Sequence, residues 1–291
     1  MRILLTLLLF LVPLMTHAQT DAEKSWKKWI EEEDHKLKTE PKSYLNVNDA
    51  AYLNKGQTVY LRGDFKSPND YKWSFKAEKN PLAKITFDGK ELTVERAGAA
   101  PYDMLKQPLW QVNPDILIEG MAPGDGIARV FIHNLKHPKV VNFKASKFWP
   151  YNPAMVVTGT FKRQQPPEQV TFRTERKLQK SLYLVGRIDF KIDQHDNSLN
   201  VYSSDSDLKK MNFFLVWFQD ATSGHGSYRA AREMELTEKT LPEDGAKVTL
   251  DFNRLTNPNC ARSTFYNCLV VRDPALKSAI TAGEMDPGEH H

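Results

Sequence analysis

The chain has 291 residues, enough for one large or two modest domains with a buried core. Hydrophobic residues make up 41% and charged residues 26%, which excludes a disordered chain and describes an ordinary globular protein. The net charge of +4 is small for this length and diffusely spread, so no nucleic-acid partner is expected.

Residues 1–18 have the form of a secretory signal peptide. Arg2 precedes an apolar run from Ile3 to Met15, broken only by Thr6 and Pro13, and Thr16-His17-Ala18 ends on a small residue. Cleavage is expected before Gln19. The run is short for a membrane span, and no Cys follows it to carry an acyl anchor. The mature protein is expected to be periplasmic or secreted, with no membrane span after cleavage. Cys260 and Cys268 are the only cysteines. In an oxidising compartment they read most simply as a disulfide, closing a loop of about nine residues worth roughly 2–3 kcal/mol. Metal ligation is the alternative, against which the spacing lacks the short CxxC knuckle of zinc sites.

Thr20-Asp21-Ala22-Glu23 resembles a capping box, and Trp26, Trp29, Ile30 and Leu37 follow at near-helical spacing. Glu23–Lys27 and Lys28–Glu32 are placed to pair across turns. The spacing predicts an amphipathic helix over 21–38, in an N-terminal segment 19–40, docking its tryptophan edge on the body; binding a partner through that edge is the other reading. Beyond Glu40-Pro41, short runs rich in Val, Ile, Phe, Tyr and Thr recur between Gly, Pro, Asn and Asp, the pattern of strands and turns. Ala83–Asp88 and Glu91–Arg96 flank Asp88-Gly89-Lys90, a hairpin signal. Asp115–Glu119, Ile127–His133 and Lys139–Phe143 read as further strands. Met155–Lys162 and Gln169–Thr174 are separated by Gln164-Gln165-Pro166-Pro167. Leu182–Ile192 alternates most clearly, with a bulge or bend expected at Gly186, and Asn197–Tyr202 answers it. Asn212–Phe218 is apolar on both faces and belongs inside a sheet. The segments are Pro-broken before Asp125 and longer after it, which predicts subdomains 41–125 and 126–286 and a tail 287–291. The fold class is mainly β: a β-sandwich or two packed β-subdomains with one N-terminal amphipathic helix.

Three polar segments are expected to meet. In Lys247–Asn253, Val248, Leu250 and Phe252 alternate with Thr249, Asp251 and Asn253, so Asp251 and Asn253 fall opposite the apolar face. That strand runs into Asn257-Pro258 and the cysteine loop. After Phe218, residues 219–226 form a tight turn holding Asp220, Thr222 and Ser223. The following strand should place Tyr228, Ala230, Arg232, Met234 and Leu236 on one face, which makes Arg232 an inward charge in need of a carboxylate: Asp220, Asp251 or Glu284. A structural knot is one reading. The other is a pocket floored by Arg232, with Asp220, Asp251 and Arg232 as catalytic candidates and Thr222, Ser223, Tyr228, Arg232, Asn253, Asn257 and Glu284 as binding candidates. Arg232 apposed to a carboxylate with no cavity beside it favours the knot. Ser223 and His225 stand too close in sequence for a nucleophile–base pair, and no GxSxG elbow is present. His133 and His137 share no helical face, because Pro138 follows. No metal and no cofactor are expected.

The C-terminal half resembles the domain of unknown function 1684 family. The resemblance rests on Phe218-Gln219-Asp220-Ala221-Thr222-Ser223-Gly224 with Tyr228 and Arg232, then Leu250-Asp251-Phe252-Asn253-Arg254, Asn257-Pro258-Asn259-Cys260-Ala261, Cys268 and Ala282-Gly283-Glu284. Ser227 stands where the family pattern has Thr, Leu255-Thr256 replaces Ala-Tyr, and Leu269 to Arg272 replaces a proline-rich run after the second Cys. The resemblance implies a β-rich fold and a shared C-terminal polar cluster, and brings no activity with it. The expectation is an exported protein that is structural or binds a small anionic or polyhydroxylated ligand. The alternative is a hydrolase with Asp220 or Asp251 as general base and Arg232 holding charge.

Overall fold

A computed structural model describes residues 20–64, 67–124, 126–207, 214–236 and 241–288. The signal segment, Asp125 and the last three residues of the tail lie outside the described residues.

Helix α1 (Asp21–Thr39) is capped by Thr20, whose hydroxyl accepts the Glu23 N–H at 3.2 Å. Its buried residue is Trp26, whose indole donates to the Asn253 carbonyl at 2.8 Å and packs on Phe148 and Tyr151. Trp29 meets Phe148 edge-on and lies under the Arg254 guanidinium. The tryptophan edge therefore serves packing, joining α1 to the C-terminal half, with the buried Trp26 indole given an acceptor.

Nine strands follow: β1 (Val47–Leu53), β2 (Thr58–Asp64), β3 (Ser67–Ser74), β4 (Ala83–Phe87), β5 (Leu92–Glu95), β6 (Tyr102–Asp103), β7 (Leu109–Asn113), β8 (Ile116–Met121) and β9 (Ala128–Asn134). They make two sheets, β1-β9-β8-β7 and β3-β2-β4-β5-β6. In β4, buried Ala83, Ile85 and Phe87 alternate with half-buried Lys84 and Thr86, as period two requires. They share one core with Leu53, Ile118, Val130 and Ile132 of the other sheet, which makes this unit a sandwich. At the β4–β5 turn the Asp88 carboxylate accepts the N–H groups of Lys90 and Glu91, both at 2.7 Å. The change of character near Asp125 is not a boundary: β9 pairs with β8 and with β1, so the first unit runs on to Asn134. Proline marked a loop there, not the edge of a core. Lys139–Phe143 is not a strand either. Pro138–Asn142 forms a short helix, α2, because His137 caps the Lys139 N–H and Pro138 sits at the first helical turn, where its missing N–H costs nothing.

The second unit is one sheet of six strands, in the order β14-β13-β12-β11-β10-β15: β10 (Val156–Arg173), β11 (Gln179–Ile192), β12 (His195–Ser203), β13 (Leu215–Phe218), β14 (Arg232–Glu235) and β15 (Lys247–Asp251). The two strands expected at 155–162 and 169–174 are a single strand. Gln164–Pro167 is an irregularity within it, where the register jumps from Arg163 to Glu168, since proline cannot donate to the ladder. A second shift falls at Leu184/Gly186, and the Phe161 ring occupies the space a Cβ at Gly186 would need. Between these irregularities the sheet exchanges its buried face. Phe161, Ile188, Phe190, Val216 and Phe218 belong to one cluster, and Phe172, Leu182, Tyr202 and Trp217 to another.

The outer face of the first sheet is also covered. Leu117, Glu119, Phe131 and His133 are buried there, beside the short 3-10 turn Tyr44–Asn46 and residues of the second unit. The Tyr52 hydroxyl donates to the Phe265 carbonyl at 2.8 Å, and the Tyr266 ring stacks on Phe131 at 5.2 Å. This seam is why β8 is buried on both faces. No helix among the described residues is long and apolar enough to cross a membrane.

Candidate functional site

Most of the expected polar residues do meet, around the end of β13 and the start of β14. Asp220 leaves β13 and closes an Asx turn on itself: its Oδ1 accepts the Thr222 N–H and hydroxyl, both at 2.6 Å. The Ser223 hydroxyl accepts the Asp220 N–H at 3.1 Å. Asp220 Oδ2 accepts Arg232 Nη1 at 2.9 Å, and neither side chain has any exposed surface. Nη1 also donates to the Ile280 carbonyl at 2.7 Å, and Nη2 to the Ala282 carbonyl. Burial pushes the guanidinium of Arg232 down, and Asp220 partly offsets that. Behind Thr222 lies Ser227, 2.8 Å away, which in turn accepts the Trp149 indole at 3.2 Å. Trp149, Ser227, Thr222 and Asp220 are thus joined in one continuous line of polar contacts.

A second buried pair sits beside the first. Glu284 Oε1 accepts Arg262 Nη2 at 2.6 Å, and Oε2 accepts the Asn257 N–H at 2.7 Å. Burial raises the Glu284 carboxyl above the usual range, against the pull of Arg262 and the Asn257 amide. Tyr44 reaches the same pair from the first unit, and burial and Glu284 push its hydroxyl up while Arg262 opposes them. Gly283 must be glycine: its φ is +75°, and a Cβ would lie 2.5 Å from Leu255 Cβ and 2.9 Å from the Phe252 carbonyl. That close approach holds the Ala282-Gly283-Glu284 tail where its carbonyls and carboxylate reach both arginines. Asn257 Nδ2 donates to the Met285 carbonyl at 2.8 Å, fixing the same tail.

Asp251 and Asn253 do not share the outer face of a strand. β15 ends at Asp251, and Phe252–Arg254 is a 3-10 turn capped by the Asp251 carboxylate, which accepts the Asn253 N–H at 3.1 Å. The turn breaks period two, so Asn253 points inward and is 1% exposed. Its amide oxygen accepts the Asn152 N–H at 2.8 Å and its amide nitrogen donates to the Asn152 carbonyl at 2.9 Å. Asp251 stays partly exposed, 3.3 Å from Arg254. Tyr228 precedes β14 and packs on the Cys260–Cys268 disulfide with Ala261. His225 is exposed at the tip of the turn.

Among the named site residues Ser223 and Asp251 alone keep partial exposure; Asp220, Thr222, Tyr228, Arg232, Asn253, Asn257 and Glu284 are buried. Four surface grooves, of 260 to 660 Å³, are lined by none of the nine. The largest of these four lies on the outer face of β10, β11, β12 and β15, bounded by Thr160, Asp189, Lys191, Ser198 and Lys247. Sequence reasoning passed over Arg262, which is 4% exposed. The signal was available, since Arg262 stands between Ala261 and Ser263 as a lone charge in a small-residue run. Trp149 and Tyr44 carried no signal, because only the tertiary fold brings them to the cluster.

Residues 141–285 match the family described as "Protein of unknown function (DUF1684)". The solution NMR structure of an uncharacterized protein from Haloarcula marismortui matches with 29% identity over 52% of this chain and 82% of its own, at a TM-score of 0.44. No curated protein matches.

Proposed function

Residues 141–285 belong to that family, and from this premise we propose that the chain is an exported protein of the cell envelope or exterior in which the shared polar motif is a structural lock, not a catalytic pocket. The observation that carries this is the full burial of Arg232 against Asp220. Its two Nη atoms face Asp220 and two backbone carbonyls, with no exposed surface on either charged side chain. A general base must reach a substrate proton, and Asp220 is spent on Thr222 and Arg232 at no exposure. Asp251 is likewise spent on capping Asn253 and pairing with Arg254. Export is supported by the Arg2–Ala18 pattern and by the paired cysteines.

Binding of a small anionic or polyhydroxylated ligand is a second reading, favoured by the 660 Å³ groove on the large sheet, where Lys191 and Lys247 stand beside Thr160 and Ser198 hydroxyls. Thermal-shift measurement on the chain from Gln19 separates the readings. A lock predicts that Asp220→Asn lowers the melting temperature with no ligand present. A hydrolase predicts that Asp251→Asn abolishes turnover of esters, glycosides or peptides while melting is unchanged, and that outcome rules out the lock as the motif's role. Stabilisation by sugars or organic acids that is lost in Lys247→Ala, and kept in Asp220→Asn, assigns binding to the groove.

A further inference from the structure

We infer that the Cys260–Cys268 disulfide is a redox-sensitive clasp coupling the N-terminal sandwich to the C-terminal sheet. The loop it closes faces both units. Toward the sandwich, the Phe265 carbonyl accepts the Tyr52 hydroxyl at 2.8 Å, and the Tyr266 ring stacks on Phe131 at 5.2 Å and meets Tyr44 edge-on at 6.5 Å. The Arg262 carbonyl accepts Lys139 Nζ at 2.6 Å, from the connection after β9. Toward the sheet, the Arg262 side chain binds Glu284, the Thr264 carbonyl accepts Arg176 Nη2 at 2.8 Å, and the Cys268 carbonyl accepts the Glu175 N–H at 3.1 Å. One short loop thus holds β1 and β9 on one side and the β10–β11 turn and the tail on the other.

The loop has little structure of its own to keep it in place. Asn259–Ala261 is a single 3-10 turn, and the segment from Arg262 to Cys268 has neither helix nor a named strand. The crosslink acts together with the contacts above, and breaking it returns chain freedom to the segment. The bond is also within reach of solution. Cys260 is 6% exposed, whereas Cys268 is partly exposed. A dithiol reductant can attack Cys268 Sγ, break the S–S bond and release Cys260 as a thiolate. Its second thiol then resolves the mixed disulfide. Two electrons and two protons pass to the cysteines, and the reductant leaves as its own disulfide. The consequence for the fold is uncoupling: each unit keeps its own core, but the seam loses its clasp. Without the bond the two units keep their chain connection, α1 and the Arg176 guanidinium on the Tyr52 ring at 4.7 Å; with it the loop is clamped between them as well.

The test uses the full chain from Gln19, oxidised and then reduced with dithiothreitol, with free thiols counted in each sample. Calorimetry of the oxidised protein should give one transition, and of the reduced protein two. Hydrogen exchange in peptides covering β1 and β9 should become at least about tenfold faster on reduction, while β4 and β5, inside the sandwich, stay unchanged. Tyr266→Ala should split the melt in the oxidised state, since it removes the docking ring and leaves the bond. A reduced protein with two counted thiols that still melts in one transition overturns the inference. So does resistance of the bond to dithiothreitol under native conditions, or a Tyr266→Ala protein that melts as one unit.

Discussion

The two units bury charge in different ways, and the difference lies in which partner can lose its proton. In the C-terminal unit both buried cations are arginines, Arg232 on Asp220 and Arg262 on Glu284, fixed by backbone carbonyls and amides as well as by each other. Arginine stays charged at any pH the protein meets, so these pairs act as permanent ties. In the N-terminal unit the buried partner is a histidine: His133, 0% exposed, lies between Asn46 Oδ1 at 2.6 Å and Glu119 Oε2 at 3.2 Å. Asn46 Nδ2 donates to the Glu40 and Pro41 carbonyls, which sets its oxygen toward the ring. Both ring nitrogens therefore lie within hydrogen-bond distance of a side-chain oxygen, which fixes the ring in place. Burial pushes the Glu119 carboxyl up, but its hydrogen bond and charge interaction with His133, together with Lys42 at 3.3 Å, more than offset that and hold it below the usual range. One unit ties its carboxylates to arginines that stay charged, whereas the other holds Glu119 with a histidine ring and a lysine and keeps its carboxyl low.

Breaking the permanent tie should have the largest effect. Arg232→Met leaves Asp220 buried and unpaired, and unfolding in urea should show a loss of about 3–5 kcal/mol. Combining it with Asp220→Leu should restore part of that loss, because the orphaned charge is removed as well; a double variant as unstable as the sum of the singles would mean the pair is not coupled.

The titrating pair can be read by pH. Glu119 has its carboxyl lowered on folding, so its stabilisation is present above the unfolded value of about 4.3 and is lost as pH falls through the lower folded value. Glu119→Gln should therefore cost about 1–2 kcal/mol at pH 7, with the gap to the parent protein closing on acidification. A gap independent of pH down to 3 would remove the charge argument.

The last effect has the opposite sign. Glu233 lies in β14 beside Arg232 but on the other face of the strand, where burial pushes its carboxyl up to about 7 against the pull of Lys180. A carboxyl raised on folding weakens the fold as it ionises, so stability falls as pH rises from about 4.3 toward 7. Part of its surface remains open to solvent, which trims the effect. Glu233→Gln should match the parent below about pH 4 and exceed it by about 1–2 kcal/mol at pH 8 in melting experiments.

The sequence by itself determined a great deal of the local structure. Alternation named β4, β5 and β11 because a half-buried strand must repeat every two residues. The Thr20 cap and the tryptophan spacing named α1, and Gly186 marked a bulge for lack of a side chain to pack. Arg232 was legible as an inward charge because it shares a strand face with Met234 and Leu236, both buried. What only the tertiary structure decided was who answers whom. Asp220, not Asp251 or Glu284, meets Arg232, and Glu284 answers Arg262 instead, because the Gly283 kink sets where the tail lies against the Phe252–Arg254 turn. The extent of the first sandwich was hidden as well, since the pairing of β9 with β1 spans some eighty residues and leaves no local mark. Local period is written in neighbouring residues and can be read from them; the choice among several carboxylates for one buried guanidinium depends on chain paths that no short window contains.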